Sequence, residues 1–554
     1  MNWKLKYRHH LLIGVYTLLN FIQSMFTELA NDEAYYWMYS NFLDWGYFDH
    51  PPAIAFIIKI GYGLFKNELG VRLMVVILNS SSLYLLREII GRKYFGLLFL
   101  LFCSISSLQV YSFIAVPDSP LLFTTCLFFY AYQRFLDRNI LSDTLLLGMS
   151  MALLMYSKYH GILIIFFTMA SNRKLIMNPR FIVAGISALL LYAPHLNWQV
   201  MNDFPSYQFH VLNRSQSPYD YMDTTNFLLG QFLITGPFMT IPLLYRAIRW
   251  KSEAVFDKSL RYTMFGIFLF FLFSTANDHA EANWTISACI PMILLAHHSL
   301  TKEQVLTNWL VPVASLSILA LLFVRLHLMF DLLPNKITIK DEFHGSREWA
   351  TEIKHLAASK SVIFMNSYQD ASKYSFYSGD MSLSLNNVFY RRNQFDLWPI
   401  SDSMQGLPAI FFTTWDYKDI DSIETAKGIE KFIEVPSFYS ANRVWLSANW
   451  PKDGIRRGQI VEVTFEFMRN QNLAQGSDID ANPLFITYEI FQQEEYSCYQ
   501  IARQLSAEEL STTNQLTIPF RAPNKAGTYF IILSIRCGNF PASINSKLYR
   551  VKVI

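Results

Sequence analysis

Apolar residues run almost unbroken through long stretches of the first 330 positions, then give way to short alternating patterns. A bilayer core about 30 Å thick needs roughly 17–25 helical residues. Apolar runs of that order fall near residues 10–28, 70–88, 94–115, 119–135, 141–156, 161–172, 181–198, 224–245, 261–276, 284–299 and 305–327, which predicts about eleven spans. The pair 141–172 reads as one kinked helix or as two. The charged "SKYHG" at 157–161 favours a break, because charge in mid-membrane is expensive. Residues 51–66, "PPAIAFIIKIGYGLFK", are apolar but interrupted by Lys59 and bounded by prolines. They are expected to lie in the interface, so that one long outer loop runs from about 29 to 69.

Beyond about 335 the periods shorten. "REWATEIKHLAA" (347–358) and "DASKYSFYS" (370–378) read as helices, and "SVIFMN" (361–366) and "PAIFFTTW" (408–415) as strands. From 431 onward the pattern is all β: "QIVEVTFEF" (459–467), "PLFITYEIF" (483–491), "NQLTIPF" (514–520), "GTYFIILSI" (527–535) and "LYRVKVI" (548–554). Short strands between turn residues predict a β-sandwich. The expected fold is therefore an α-helical polytopic membrane bundle over 1–330, an α/β unit over 335–430 and a β-sandwich over 431–554.

Composition agrees with two environments. Of 554 residues, 52% are hydrophobic and only 16% charged, with a mean hydropathy of +0.20; soluble proteins carry about 25% charged residues. The net charge of +3, without a basic block, argues against a nucleic-acid partner. The first apolar run has a basic start but no small-x-small site before Asp32, so an uncleaved signal anchor is expected. Lys and Arg alternate with acid-rich connections along the spans. The positive-inside rule then puts the N-terminus in the cytoplasm, and an odd number of spans puts the tail outside, as in a bacterial inner membrane. Cys103, Cys126 and Cys289 read as packing residues. Cys498 and Cys537, in the polar tail, are candidates for a disulfide there.

The chemistry collects in the predicted outer connections. "NDEAYYWMYSNFLDWGYFDHPP" (31–52) carries Asp32, Glu33, Asp49 and His50. Asp118 follows in "VPDSPL", then Lys158 in "SKYHG", Arg214 in "LNRSQSP", and the polar run "NDHAEANW" (277–284). On one face of a bundle these residues would line a pocket of acids, a histidine and cations. A carboxylate there could take the proton of an attacking hydroxyl or amine, and Lys and Arg could hold a phosphate leaving group. Each residue also has a plainer reading. Asp32 and Asp118 can cap helices, Asp49-His50-Pro51-Pro52 can be a polar turn, Lys158 and Arg214 can snorkel, and the aromatics of 35–48 can form an interface belt. Asp49, His50 and Asp118 are candidate ligands for a divalent ion of unassigned type. The main alternative function is a transporter or flippase for a lipid-linked sugar. Against it, no internal repeat is visible and the charge lies at one surface.

"DEAYYW" followed by "DWGYFDHPP" resembles the first outer loop of bacterial lipid-linked-sugar glycosyltransferases, the broad group that includes protein O-mannosyltransferases and lipid A aminoarabinose transferases. "VPDSPLLF", "YSKYHGILI", "EANWT", "FHGSREWA" and "NQFDLWP" are similar to further motifs of that branch, in the same order, over about residues 10–420. The resemblance implies an integral membrane enzyme of that helical fold. It implies a polyprenyl-phosphate sugar donor, a lipid, glycan or protein acceptor on the outer side, surrounding membrane lipid, and inversion at the anomeric carbon. It implies Asp32 as the catalytic carboxylate with Glu33 in support. Asp49 and His50 match a loop position where the aminoarabinose branch has a Glu-Lys pair, Asp118 a second acid of the cavity and Lys158 a cation at its rim, with Arg214 as a phosphate clamp.

Overall fold

In a computed structural model, the structure describes residues 8–138, 140–213, 219–276, 279–302, 309–333, 341–469, 483–492, 495–506, 509 and 512–554. Two compact units divide between His344 and Gly345.

The first unit is helical: α1 (Arg8–Phe26), α2 (Asn31–Asn41), α3 (Ala53–Leu64), α4 (Glu68–Ile90), α5 (Phe95–Cys103), α6 (Ser106–Val110), α7 (Asp118–Arg138), α8 (Leu141–Ser157), α9 (Gly161–Ser171), α10 (Pro179–Met201), α11 (Tyr221–Thr235), α12 (Thr240–Arg249), α13 (Val255–Ser274), α14 (Cys289–Lys302) and α15 (Leu310–Phe330). Its core is built around α14, in which every residue from Cys289 to His297 is buried. A helix apolar on all sides is one surrounded by others. Leu121, Phe128, Phe129 and Tyr132 of α7, and Leu260, Met264 and Ile267 of α13, belong to the same core.

Among the described residues, α4, α10 and α15 are long and apolar enough to cross a membrane, and two bent pairs raise that number to five. This is fewer than the expected eleven, and the differences have local causes. The run 94–115 is not one helix. It breaks after Cys103, where Ser104 Oγ turns back onto the carbonyl of Leu101, and resumes as the short α6. The run 224–245 bends by 90° between α11 and α12. Gly236 makes that corner at φ 106°, a conformation that side chains resist. Helices α3, α8 and α9 are apolar but short. The break expected at "SKYHG" is present: α8 ends at Ser157, Lys158 is extended, and α9 starts at Gly161.

In the second unit, α16 (Ser346–Ala357) and α17 (Tyr368–Ser378) accompany a five-stranded sheet. Its strands are β1 (Ser361–Met365), β2 (Leu383–Leu385), β3 (Ala409–Phe412), β4 (Asp421–Thr425) and β5 (Gly428–Val435), in the order β2-β1-β3-β5-β4. The β1–β2 and β1–β3 pairs are parallel and the others antiparallel. Asp396 of "NQFDLWP" is buried and accepts from Asn386 Nδ2 and the Asn393 amide, so it secures a turn.

The remaining strands are β6 (Trp445–Ala448), β7 (Ile460–Arg469), β8 (Leu484–Gln492), β9 (Glu495–Leu505), β10 (Gln515–Arg521), β11 (Gly527–Cys537), β12 (Ser543–Ile544) and β13 (Tyr549–Val553). They form a sheet β10-β7-β6 and a sheet β12-β11-β8-β9 with β13 on β11. Val463, Phe465, Ile518 and Phe520 share one core with Ile486, Tyr488, Ile490, Ile531, Leu533 and Ile535, with alternate residues facing inward.

The candidate disulfide between Cys498 and Cys537 is not formed; both thiols are free. Strand β8 lies between their strands, Cys498 opposite Ile490 and Cys537 opposite Leu484. Burial pushes the Cys537 thiol up to about 12, whereas Cys498 is exposed. A maleimide is therefore expected to label Cys498 in the native protein and Cys537 only after unfolding, read by peptide mass spectrometry.

Candidate functional site

The opening motif folds into α2 and the loop that follows it. Glu33 is fully buried and all its oxygens are engaged. Oε1 accepts from Arg72 Nε at 2.8 Å and from the Ala115 amide at 2.7 Å; Oε2 accepts from the Ala30 amide at 2.9 Å and from the other side of the guanidinium. Arg72, on α4, also donates to the carbonyls of Thr27 and Glu28 at 2.6 and 2.8 Å. Glu33 thus ties three segments together: the start of α2, α4, and the stretch leading into α7. A carboxylate so enclosed orients its neighbours and has no room to touch substrate. Glu342 adds a further tie, accepting from the Asn31 amide at 3.0 Å.

Asp32, one residue earlier, is half-buried on the first turn of α2. Asp118 opens α7 and is buried. Both its oxygens accept from Lys158 Nζ, at 2.8 and 2.9 Å, and Asn283 Nδ2 donates at 3.2 Å. Tyr111 lies within electrostatic reach of Asp118, Asp32 and Glu281. Asp118, Lys158 and Asn283, from three separate stretches, therefore meet, with Tyr111 and Asp32 in their neighbourhood. Beside them His160, Phe271 and Trp284 pack ring to ring at 4.8–5.4 Å.

Asp49 and His50 sit on the adjoining loop. Asp49 is buried and accepts from the Tyr39 hydroxyl, and its carbonyl is 2.8 Å from His210 Nε2. The His50 ring lies 5.5 Å from Tyr36. Tyr159, next to Lys158, is within reach of the Asp49 charge. Its hydroxyl donates to Ser206 Oγ at 2.8 Å and accepts from Gln199 Nε2 at 3.0 Å, and Ser206 Oγ in turn donates to the Tyr47 carbonyl. His195 Nδ1 meets the Trp45 carbonyl at 2.7 Å and Trp198 Nε1 donates to Asp44 at 2.8 Å. The end of α10 thereby clamps the 44–50 loop. Gly46 permits the closest approach: a Cβ there would meet the Trp198 ring at 2.3 Å. Gly46→Ala is expected to lower stability by about 1–3 kcal/mol through overpacking, measured by thermal unfolding in detergent.

Arg214 lies outside the described residues. Among the described residues, Asp49, His50 and Asp118 do not form a group with ligand atoms within 4.8 Å of one another; Lys158 donates to both oxygens of Asp118 and the Tyr39 hydroxyl donates to Asp49. Among the described residues, the group whose ligand atoms lie within 4.8 Å of one another is instead Asp331, Asp341 and His344, which is largely exposed. Arg72, Tyr111 and Glu342 escaped the sequence reading. Arg72 falls inside an apolar run, where the charge itself was the available signal.

Residues 49–198 match the family described as dolichyl-phosphate-mannose-protein mannosyltransferase. That stretch of the chain is similar to the family. The matched stretch includes Asp49, His50, Asp118 and Lys158. The lipid A galacturonosyltransferase RgtD of Rhizobium johnstonii is 23% identical over 288 residues, 49% of this chain; the chain spans 60% of that relative's length. Among solved structures, ArnT from Cupriavidus metallidurans in the apo state superposes with a TM-score of 0.57 at 14% identity, over 76% of this chain and 97% of ArnT. The same enzyme bound to undecaprenyl phosphate gives 0.56 at 13% identity, with the same coverage. The chain therefore has an ArnT-like fold: a helical unit with several apolar spans followed by β-rich sheets.

Proposed function

We propose that this protein is an integral membrane glycosyltransferase that moves a sugar from a polyprenyl-phosphate donor to a lipid or glycan acceptor outside the membrane. The observation that carries the reading is the buried Asp118–Lys158 pair with Asn283 on it, and Asp32 within electrostatic reach of the neighbouring Tyr111. The relatives support it: one family named for a dolichyl-phosphate sugar, one enzyme acting on lipid A, and one fold seen with undecaprenyl phosphate.

Asp32 is the general base because it is half-exposed, whereas Glu33 and Asp118 are buried. Its carboxylate takes the proton of the acceptor hydroxyl as that oxygen bonds to the anomeric carbon. The bond from that carbon to the phosphate oxygen breaks, and its electron pair leaves with polyprenyl phosphate. One displacement inverts the centre. Lys158 has three donor hydrogens, and those not spent on Asp118 are suited to the phosphate; Arg214 is the second cation proposed for it. Asp49 and His50 shape the adjoining wall. The excess of Lys and Arg on alternate connections orients the N-terminus to the cytoplasm and the tail outward.

The test is transfer by purified protein in lipid vesicles, supplied with a polyprenyl-phosphate sugar and a lipid A acceptor. Sugar on the acceptor, with release of polyprenyl phosphate, is expected. Movement of the intact donor across the bilayer without a new glycosidic bond would replace this reading by a flippase.

A further inference from the structure

Helix α15 is among the most apolar in the chain and qualifies as a span, yet it carries a buried arginine near its outer third. Arg325 is held entirely by uncharged groups. One guanidinium nitrogen donates to Asn20 Oδ1 and to the Gln109 carbonyl, each at 2.7 Å, with Ser112 Oγ at 3.2 Å and Gln109 Oε1 at 3.4 Å. The Phe113 ring lies 5.1 Å from the guanidinium carbon. Among the described residues it has no carboxylate partner. A buried charge in a membrane helix without a counter-ion costs stability, so its retention calls for a use.

The use follows from what the arginine grips. Gln109, Ser112 and Phe113 belong to the short stretch 104–117, the piece that replaces the expected continuous span. The other side of that stretch reaches the site: the Ala115 amide donates to Glu33, and Tyr111 lies within electrostatic reach of Asp32 and Asp118. Phe113 is fully buried, with the Arg325 guanidinium at 5.1 Å and that of Arg72 at 5.8 Å. Leu328, one turn along α15, and Phe343 pack on the same cluster of Val76, Phe113 and Ile114. We infer that Arg325 is a positioning residue for the transfer reaction: from the last membrane helix it sets the height of segment 109–115, and so the placement of Tyr111 and Ala115 against Asp32, Glu33 and Asp118. This rests on the glycosyltransferase reading above.

A single guanidinium nitrogen reaches the acceptors on α1 and on the 109–112 turn; a lysine amine sits one bond shorter on its stem and reaches them less well. Removing the fork leaves its acceptors partly satisfied, since Ser112 Oγ lies at 3.0 Å from Asn20 Oδ1 and 2.7 Å from the Gln109 carbonyl. The full-length Arg325→Met protein is therefore expected to melt within about 4 °C of wild type or higher. Its kcat is expected to fall about 100-fold, the cost of misplacing reacting groups by about 1 Å, with the donor KM within about threefold. Arg325→Lys is expected to fall between the two. A wild-type kcat in Arg325→Met overturns the inference. So does full recovery with Lys, or a joint loss of kcat and melting temperature, which would make Arg325 a plain stabiliser. Hydrogen exchange gives a readout free of the transfer assay. Amides of 109–115 are expected to exchange about tenfold faster in Arg325→Met, with α7 unchanged, and equal rates overturn the assignment. Failure of the glycosyltransferase reading shows separately, as no sugar transfer by the wild-type protein in the same vesicles.

Discussion

Asp32→Asn is expected to lower transfer by about 100- to 10,000-fold, the range that a positioned general base contributes. The amide keeps the shape of the side chain but cannot accept the proton of the acceptor. The fold is expected to survive. Asp32 is half-buried, and the groups that lock α2 in place are Glu33, Arg72 and Glu342. The structural cost is the loss of one acidic charge from a helix's first turn, about 0.3–1 kcal/mol. Initial rates in vesicles and thermal unfolding of the same preparation separate the two effects. Transfer within about threefold of wild type, at an unchanged melting temperature, would remove Asp32 from the chemistry.

Lys158→Met has a different signature. It strands the Asp118 carboxylate in a buried site with Asn283, at 3.2 Å, as its remaining donor within the cluster. Breaking a buried pair from one side typically costs about 3–5 kcal/mol. Transfer is expected to be lost as well, because Lys158 is the cation proposed to meet the departing phosphate. Replacing both partners, in Lys158→Met with Asp118→Leu, removes the stranded charge along with the pair. Stability is then expected to return to within about 1–2 kcal/mol of wild type, while transfer stays absent. Denaturant titration and the vesicle assay on the three proteins check this. A double variant that regains transfer would reduce the pair to scaffolding. A single variant as stable as wild type would show that Asp118 is not ionised beside Lys158.

Both results bear on how much of the site was legible in the chain itself. The acids and the cation could be named because polar residues stand out against apolar runs, and because each falls where a run ends. Their partners could not. Lys158 with Asp118 is a contact between the ends of two helices, and no period along the chain links them. Arg72 and Arg325 each lie within a stretch that reads as a membrane helix, and only the assembled bundle shows which neighbours they meet. Glu33 illustrates the limit most sharply. It adjoins Asp32 and has the same chemistry, yet the helix turns it inward to Arg72 while Asp32 stays half-open.

What the amino-acid pattern determined on its own is the apolar helical character of the first unit, the strands of the second, and the break at "SKYHG". These follow from local hydrophobic period and from the cost of charge in lipid, both readable in a short window. Tertiary structure decided the rest. It broke 94–115 at Ser104 so that a short stretch could hold Tyr111 and Ala115 against the acids. It bent 224–245 at Gly236, and it kept Cys498 and Cys537 apart by placing β8 between their strands. Each outcome depends on which distant segments pack together, and packing is settled by three-dimensional complementarity that no local period encodes.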